Sequence, residues 1–505
     1  MATTDQRGAA STVESFGIDT IPDEERCYTP RHIFWVLFAS DLCFSVIVVG
    51  WFPIIFGLGW WSAVSSIVVG SLVGGLLLAP MGLLGPRTGT NNAVSSGAHF
   101  GVAGRLIGTA LGLFSAFGFV AITIWTGGDA LISGAHRLIG TPDGDVARGI
   151  GYAVITIVVL TIAVRGIHLL LLVQEKVMAP LMGIALIVGV IAFAGHFDAG
   201  YGGSGAYLLG TFWPTWTLAA LISAATVISY GPFVGDWSRY ISPERFGPRP
   251  LMLATGLGGF LGIGVPALWG AYVASTFGVS QTGVFIPDLV TFSPGWYVIG
   301  IVAIGLIAGC AQGAVGLYGT GLDTSSLIPG LSRVQATLTI GAVAAGFVYI
   351  ANFVWSAQAT VAAFLVILVV VTTPWMVICA IGYWWRRGFY LTDDLQVFTR
   401  HQRGGRYWFS AGFNLRAVCA WVPASVIGVL FSAAPPLYTG PWANAANGVD
   451  LSFTTAGLLG GGIYLAALVL FPEPAEVFGP AGRRGRSRPT GVRIPEPSAP
   501  SANDA

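Results

Sequence analysis

Ionisable side chains are rare within the apolar stretches of this sequence, and these few are its first candidates for chemistry. Asp41 lies eight residues into the first stretch (33–56), in FASDLCFSVIVVG. A carboxylate at the centre of a membrane helix costs about 2.5–3.5 kcal/mol, and burial disfavours its charged form. Asp41 is therefore expected to carry a proton or to meet a cation. The alternative is that it only reaches water, or Arg31, at the end of its helix.

The stretch Val227–Ile241, reading VISYGPFVGDWSRYI, is the second candidate. Pro232 lacks an N–H and Gly231 resists helical geometry, so the helix is expected to open here. Free backbone groups at membrane depth are tolerated only where they face protein or a water-filled cavity. This predicts a substrate site flanked by Tyr230 and Phe233. A proline kink repaired by neighbouring helices is the alternative.

Three further charged residues are expected to act as a gate or scaffold. Asp236 and Arg239 lie three residues apart after the predicted opening and can pair on one helical face. Asp129 lies in TIWTGGDALISGAH, where Gly127 and Gly128 leave room for a close neighbour. A place in an outer vestibule and a role in ion coupling both remain open for Asp129.

Polar and aromatic residues on two other stretches could hold a flat ring. Phe119 and Thr123 are four residues apart and share a helical face, so one can stack on a ring and the other can hydrogen-bond it. Gln312 and Tyr318 interrupt GLIAGCAQGAVGLYGTGLD, whose glycines leave one face nearly bare. The glycine-lined face could either leave room for a planar ligand or allow tight helix packing.

Composition identifies a membrane protein and excludes several functions. The chain has 505 residues, 54% hydrophobic and 9% charged, against about 25% charged in a soluble domain. Its five cysteines lack CxxC spacing, so no disulfide framework, zinc site or other metal site is indicated. Walker A, HExxH, nucleophile-elbow and Rossmann motifs are absent, which argues against an enzyme and against ATP hydrolysis. No basic face suggests binding of nucleic acid.

Apolar runs of about 20 residues predict membrane helices. We number twelve of them as spans 1 to 12, at about 33–56, 61–84, 106–134, 149–165, 177–195, 208–231, 251–275, 296–320, 335–353, 359–384, 411–433 and 452–471.

The distribution of positive charge predicts the orientation. With the N-terminus in the cytoplasm, only Arg137 and Arg148 of the 24 Lys and Arg residues fall outside, as the positive-inside rule requires. The expected location is the plasma membrane, crossed many times, with both termini cytoplasmic. Residues 1–30 are expected to form a cytoplasmic tail, and 473–505 a disordered one.

A series of motifs in the right order identifies a family. They are VESFGIDTIPDEER, FASDLCFSVIVVGWFP, GPRTGTNNAVSSGAHFG, GFVAITIWTGGDAL, RGIHLLLLVQEKVMAP, SYGPFVGDWSRYIS, AQGAVGLYGTGL, TPWMVICAIGYWWRRGFY and FNLRAVCAW. The sixth is close to the family's SYAPYAADYSRYLP. Over about residues 13–430 the chain resembles the purine–cytosine permease branch of the nucleobase:cation symporter family.

The resemblance implies an all-α, LeuT-like fold. Spans 1–5 and 6–10 would form two inverted repeats, at about 31–197 and 206–385, in a transporter core of residues 31–385. Spans 1 and 6 would be broken beside a central site. A cytoplasmic loop and spans 11 and 12 would occupy 386–472, outside the core. The family's stacking and amide positions on span 3 fall on Phe119 and Thr123, its span 6 aromatic on Tyr230, and the first Asn of its span 8 pair on Gln312.

Departures from the family pattern bear on substrate and coupling ion. Asp41 and Cys43 stand where the family often has two Asn, and Gly313 where it has a second Asn on span 8. The loss of three amides puts cytosine in doubt, because its edge needs donors and acceptors. Sodium-coupled relatives also use hydroxyls on span 8, which are missing around Gly309–Gly313. We therefore favour H⁺ as the coupling ion over Na⁺, with no other cofactor.

The sequence predicts a secondary active, cation-coupled symporter working by alternating access. Its cargo would be a nucleobase such as cytosine or a purine, or a related small heterocycle. The alternative is an amino-acid or amine transporter on the same fold, since a carboxylate such as Asp41 can pair with an amine. The expected partners are this small molecule and the lipid bilayer, and no obligate protein partner is evident.

Overall fold

The computed structural model describes residues 19–165, 179–278, 283–327, 332–400, 402–435 and 437–479. The chain is an all-α membrane protein over these residues, apart from one short hairpin. The first half contains α1 (Pro30–Ser40), α2 (Phe44–Ile55), α3 (Trp60–Leu78), α4 (Leu84–Thr88), α5 (Asn92–Phe100), α6 (Leu106–Ile139), α7 (Asp145–Arg165) and α8 (Ala179–Phe193).

The second half repeats the pattern of a broken first span. It contains α9 (Phe212–Ile228), α10 (Val234–Ser238), α11 (Pro248–Phe277), α12 (Phe285–Phe292), α13 (Val298–Ala303), a π-helical turn (Ile304–Ala308), α14 (Gly309–Leu327), α15 (Arg333–Phe353), α16 (Ala357–Trp385), α17 (Thr392–Leu395), α18 (Leu415–Phe431), β1 (Ala433–Ala434), β2 (Tyr438–Thr439) and α19 (Ser452–Leu470).

Each of the twelve predicted spans corresponds to helix in the described part of the chain. Eight helices are long and apolar enough to cross a membrane, and the bent pair α1–α2 makes a ninth. The other three spans are the shorter apolar helices Pro180–His196, Phe212–Ile228 and Leu415–Phe431. The connection 166–178, with most of RGIHLLLLVQEKVMAP and the predicted start of span 5, lies outside the described residues.

Spans 1 and 6 are both broken. In span 1, α1 and α2 are bent by 64° around Asp41-Leu42-Cys43, where Cys43 is extended at φ −145° and ψ 165°. In span 6, tight turns from Tyr230 to Val227 and from Gly231 to Ile228 end α9 before α10 begins. The break predicted at Gly231-Pro232 is confirmed.

Spans pack in three groups. Spans 1, 2, 6 and 7 form the first group and spans 3, 4, 8 and 9 the second, while spans 10, 11 and 12 pack together beside them. Within the first group, Gly50 and Gly270 allow backbone contact between spans 1 and 7. A Cβ on Gly50 would lie 1.7 Å from the carbonyl oxygen of Ala267, and one on Gly270 would lie 2.0 Å from that of Ile47.

The segments that precede α1 and follow α19 in the described part of the chain close over one face of the bundle, which we call the N-terminal face because α1 starts there. Ile21 is fully buried and its N–H donates to the carbonyl of Gly89. Glu473 is also buried, paired with Arg386. The prediction of a disordered tail from 473 is therefore wrong for residues 473–479, because a buried ion pair and the apolar Val477 fix them.

Candidate functional site

The two breaks meet at one hydrogen bond. The hydroxyl of Tyr230, in the break of span 6, donates to Oδ1 of Asp41 in the break of span 1, at 2.5 Å. Ser40 Oγ lies 3.4 Å from the same hydroxyl. Asp41 is fully buried, and its Oδ2 has no hydrogen-bond partner among the described residues.

The position of Asp41 excludes the alternative that its carboxylate only reaches water or Arg31 at the end of its helix. Its side chain is 0% exposed, so it does not reach bulk water through the helix end. Arg31 lies ten residues earlier, about 15 Å along a helix. A buried carboxyl oxygen without a partner carries a desolvation cost, which is typical of a functional position.

A second set of hydrogen bonds joins span 1 to span 8, and we call it the Gln312 clasp. The Cys43 thiol donates to Gln312 Oε1 at 2.9 Å, and the Ser45 hydroxyl donates to the same oxygen. Two donors on Oε1 fix the orientation of the amide. Its Nε2, which carries two hydrogens, makes no hydrogen bond with the described residues and can donate to a ligand.

Thr123 lies across from the clasp on span 3. A Cβ on Gly313 would be 3.2 Å from the Thr123 methyl group, so this methyl occupies space that a side chain at 313 would need. The hydroxyl of Thr123 is buried without a partner in the described part of the chain. Phe119, one turn earlier, is half-buried and meets Phe364 of span 10 edge-on, with ring centroids 6.0 Å apart.

Phe233 lies apart from this group. Its ring is beside Gly112 of span 3, seven residues before Phe119 and so about 10 Å from it along the helix. The Tyr230 ring instead packs against the ring of Trp237 of α10, with 6.0 Å between the two centroids. The structure therefore separates the two aromatics that the sequence placed together.

Asp129 also lies away from the breaks. It is six residues beyond Thr123, about 9 Å further along span 3. It accepts a hydrogen bond of 2.8 Å from the Tyr152 hydroxyl of span 4, and only 2% of it is exposed. This contact joins two neighbouring spans, in keeping with the predicted scaffold role.

Asp236 and Arg239 occupy α10 and the residue after it, on the side of the break towards the N-terminal face. The Asp236 carboxylate faces Gly319 of span 8. Arg239 is buried, with its guanidinium 5.4 Å from the centre of the Tyr240 ring. Their role as gate or scaffold stays a prediction. The side chain of Tyr318 lies outside the described residues.

Sequence reasoning missed Asn92, which supports the break in span 6. Its Nδ2 donates to the carbonyl of Gly231 at 2.8 Å and to that of Met81 at 3.2 Å. Asn92 belongs to the motif GPRTGTNNAVSSGAHFG, which contributes to the family resemblance. The sequence of such a polar segment does not indicate which distant carbonyl group its side chains will hydrogen-bond. Cys43 stands out in the sequence only as a departure from the family pattern and no role is predicted for Ser45, because their contacts with Gln312 depend on the bend in span 1.

The combined site offers a small set of hydrogen-bonding groups at the meeting point of spans 1, 6 and 8, with Thr123 of span 3 beside span 8. They are an amide NH₂ on Gln312 and a hydroxyl on Thr123, next to the Asp41–Tyr230 pair, whose free carboxyl oxygen lies against Gly262 of span 7. Few, well-placed polar groups in an otherwise apolar setting are typical of small-molecule sites. Within the described ranges, no three His, Cys, Asp or Glu side chains gather to hold a metal ion.

Comparison with known proteins decides the family. A family described as permeases for cytosine/purines, uracil, thiamine and allantoin matches residues 20–460. The chain belongs to this family. It is therefore a transporter and not an enzyme, and the family favours a nucleobase-type substrate over the amino-acid or amine alternative.

Relatives agree with this assignment. A putative purine-cytosine permease YxlA of Bacillus subtilis (strain 168) is 24% identical over 336 residues, which span 64% of this chain and 68% of the relative. Mhp1, a nucleobase-cation-symport-1 family transporter solved in a closed conformation with bromovinylhydantoin, superposes with a TM-score of 0.71 at 16% identity, over 92% of this chain and 98% of that one.

A more distant neighbour shares only the fold. A Na⁺-coupled sialic acid symporter, solved outward-open with substrate, gives a TM-score of 0.54 at 14% identity over 89% of this chain and 92% of that one. These likenesses confirm the LeuT-like architecture that the sequence resemblance implied. They do not bear on the individual site residues, which stay predictions.

Proposed function

We propose that this permease is a proton-coupled symporter for a nucleobase or a closely related heterocycle, with Asp41 as the proton carrier. The observation that carries the proposal is the Asp41–Tyr230 hydrogen bond, which ties the breaks of the two repeats through a fully buried carboxyl group. Binding and release of one proton there changes the charge between two elements that must move against each other.

The chemistry of the surroundings favours H⁺ over Na⁺. Sodium needs several oxygen ligands, and residues 309–313 of span 8 read GCAQG, without a hydroxyl. A carboxyl group in a low-dielectric site is neutral when protonated, so protonation removes the cost of burying its charge. The loaded carrier with a neutral substrate would then cross its intermediate states without a bare charge at membrane depth.

The free hydrogen-bonding groups suggest how a ring would be held. Gln312 Nε2 can donate to a ring carbonyl, and the Thr123 hydroxyl can accept from a ring N–H or donate to a ring nitrogen or carbonyl. Uracil-like and hydantoin-like rings present adjacent carbonyl and N–H groups, and Mhp1 was solved with a hydantoin.

We place the protein in the plasma membrane with both termini in the cytoplasm. The N-terminal face carries the connections rich in Arg, including 386–416, and the positive-inside rule assigns that side to the cytoplasm. Substrate import then runs from the opposite face towards the Asp236–Arg239 region.

Uptake into proteoliposomes tests the proposal. Labelled uracil, cytosine, hypoxanthine, allantoin, hydantoin and one amino acid are supplied under a pH gradient or a sodium gradient, each imposed separately. One proton per neutral substrate gives about tenfold accumulation per pH unit without a membrane potential. Accumulation driven only by sodium would refute proton coupling, and no accumulation of any ring under either gradient would refute the substrate class.

Variants locate the proton. Asp41→Asn keeps an oxygen for the Tyr230 hydroxyl but cannot ionise, so exchange of labelled for unlabelled substrate should persist while accumulation under a pH gradient disappears. Asp393→Asn is the matched control, because Asp393 is exposed on α17. Normal pH-driven accumulation in Asp41→Asn would show that another group carries the proton.

A further inference from the structure

The short helix α5 touches the substrate region at its first residue. Asn92 donates to the carbonyl of Gly231, a group that the break in span 6 leaves without a helical partner. Contact is close, because a Cβ on Gly235 would lie 2.4 Å from the backbone nitrogen of Asn92. Asn92 therefore holds the backbone directly after Tyr230.

The other end of α5 is held by residues next to α16 and α18, the helices of spans 10 and 11. Its last carbonyl groups lack partners within the helix, and three donors from elsewhere take them. Arg386 Nη1, after the end of span 10, donates to Ala98 at 2.6 Å. Asn414, the residue before α18, donates to His99 through its side chain and to Phe100 through its backbone, both at 2.7 Å.

The segment after span 12 completes this arrangement through Glu473. Its carboxylate takes two hydrogen bonds from Arg386, at 3.0 Å from Nε and 2.5 Å from Nη2. It also accepts from Asn414 Nδ2 at 3.2 Å. Arg386 and Glu473 are both fully buried as side chains, and a bidentate pair of this kind fixes orientation as well as position.

We propose that α5 is a strut through which the C-terminal segment, acting at Glu473, sets the geometry of the span 6 break, with Asn92 as the positioning residue. Every residue of α5 is buried, so the helix has little freedom to absorb a displacement at one end. The strut spans nine residues, about 14 Å. The inference goes beyond the proposed function, since it concerns regulation of the site and holds for any cargo.

The strut also links the groups of spans. Span 6 belongs to the first group and spans 10 to 12 to the third, and α5 makes hydrogen bonds to both at its two ends. A change at the C-terminal segment would thus reach the break without passing through the Gln312 clasp.

Hydrogen–deuterium exchange on the purified full-length protein in nanodiscs tests the strut without any substrate. Glu473→Gln keeps the shape but removes the charge, and Asn92→Ala removes the donor to Gly231. Each should speed exchange of the 229–238 amides at least threefold, and the double variant should exceed the faster single by less than twofold. Ser96→Ala on α5, whose hydroxyl bonds only its own helix, and the exposed Asp393→Asn should change nothing there.

Two outcomes would overturn the inference. If Glu473→Gln speeds exchange at 98–101 and 386–414 but leaves 229–238 unchanged, the C-terminal contact is only local. If the two single effects at 229–238 multiply in the double variant, Glu473 and Asn92 act independently. Should Glu473→Gln fail to fold, Asn414→Ala replaces it, because this variant leaves the Arg386–Glu473 ion pair in place. The same changes in exchange at 229–238 then support or refute the inference. None of these readings depends on which ring, or whether any ring, is transported.

Discussion

The Gln312 clasp allows a quantitative prediction, because two donors share one acceptor. Ser45→Ala leaves the Cys43 thiol on Gln312 Oε1, so the oxygen keeps a partner. One neutral hydrogen bond is worth about 0.5–1.5 kcal/mol, and a loss near the middle of that range weakens substrate binding about fivefold. Cys43→Ala should cost no more than this.

The double variant should cost more than the sum of its parts. With neither donor present, the buried oxygen is unsatisfied and the amide is free to turn away from the substrate. The penalty for such an unpaired group is about 1–3 kcal/mol. The combined loss should therefore be about 3 kcal/mol, or about 150-fold, against an additive value of at most about 2 kcal/mol, and the coupling between the two positions is at least about 1 kcal/mol.

Equilibrium binding of tritiated substrate to the detergent-solubilised protein measures the affinities of the wild type, the two single variants and the double variant, which together form a double-mutant cycle. Ser223→Ala is the matched control, since this buried hydroxyl bonds only to the carbonyl of Ala219 within span 6. A double variant that binds as well as either single variant would refute the idea that the clasp orients the amide.

Three further predictions concern other contacts. Tyr230→Phe removes the donor to Asp41 and should lower the initial rate of pH-driven uptake at least tenfold, because a hydrogen bond to a charged group is worth about 1.5–3 kcal/mol. Burial and, secondarily, the charge of Arg386 lower the pKa of His99 well below 6.5. Because His99 takes up a proton in the unfolded chain and not in the folded one as the pH falls, the free energy of unfolding should decrease by about 1.4 kcal/mol from pH 7.5 to 5.5. Thermal denaturation at the two pH values should show most of this decrease in the wild type and little of it in His99→Gln. Gly50→Ala would place a methyl group against the Ala267 carbonyl and should abolish the monodisperse peak in size-exclusion chromatography, whereas Gly346→Ala, with open space around it, should not.

The long helices and one break could be predicted from sequence because their signals are local. Apolar runs of membrane length mark the spans, and Gly231-Pro232 marks the opening of span 6 by its own backbone chemistry. The break in span 1 has no glycine or proline at Asp41-Leu42-Cys43. Only the family resemblance indicated it, because the bend is stabilised by partners on spans 6 and 8.

The parts of the site that sequence reasoning missed depend on distant contacts. Asn92 meets Gly231 across 139 positions of sequence, and Glu473 meets Arg386 across 87. A segment rich in proline and polar residues, such as the one containing Glu473, has the composition of a flexible tail. Its burial follows from one charge partner at the end of span 10, which composition does not reveal.

The length of the Gln312 side chain has a mechanical consequence. The clasp joins span 1 of the first packing group to span 8 of the second, so any rocking of the two groups pulls on it. Where the family pattern has Asn, this chain has Gln, which is longer by one methylene and reaches at most about 1.5 Å further. The added length lets residue 312 reach the Cys43 and Ser45 donors across the boundary between the two groups. We therefore expect these hydrogen bonds to resist separation of the two groups.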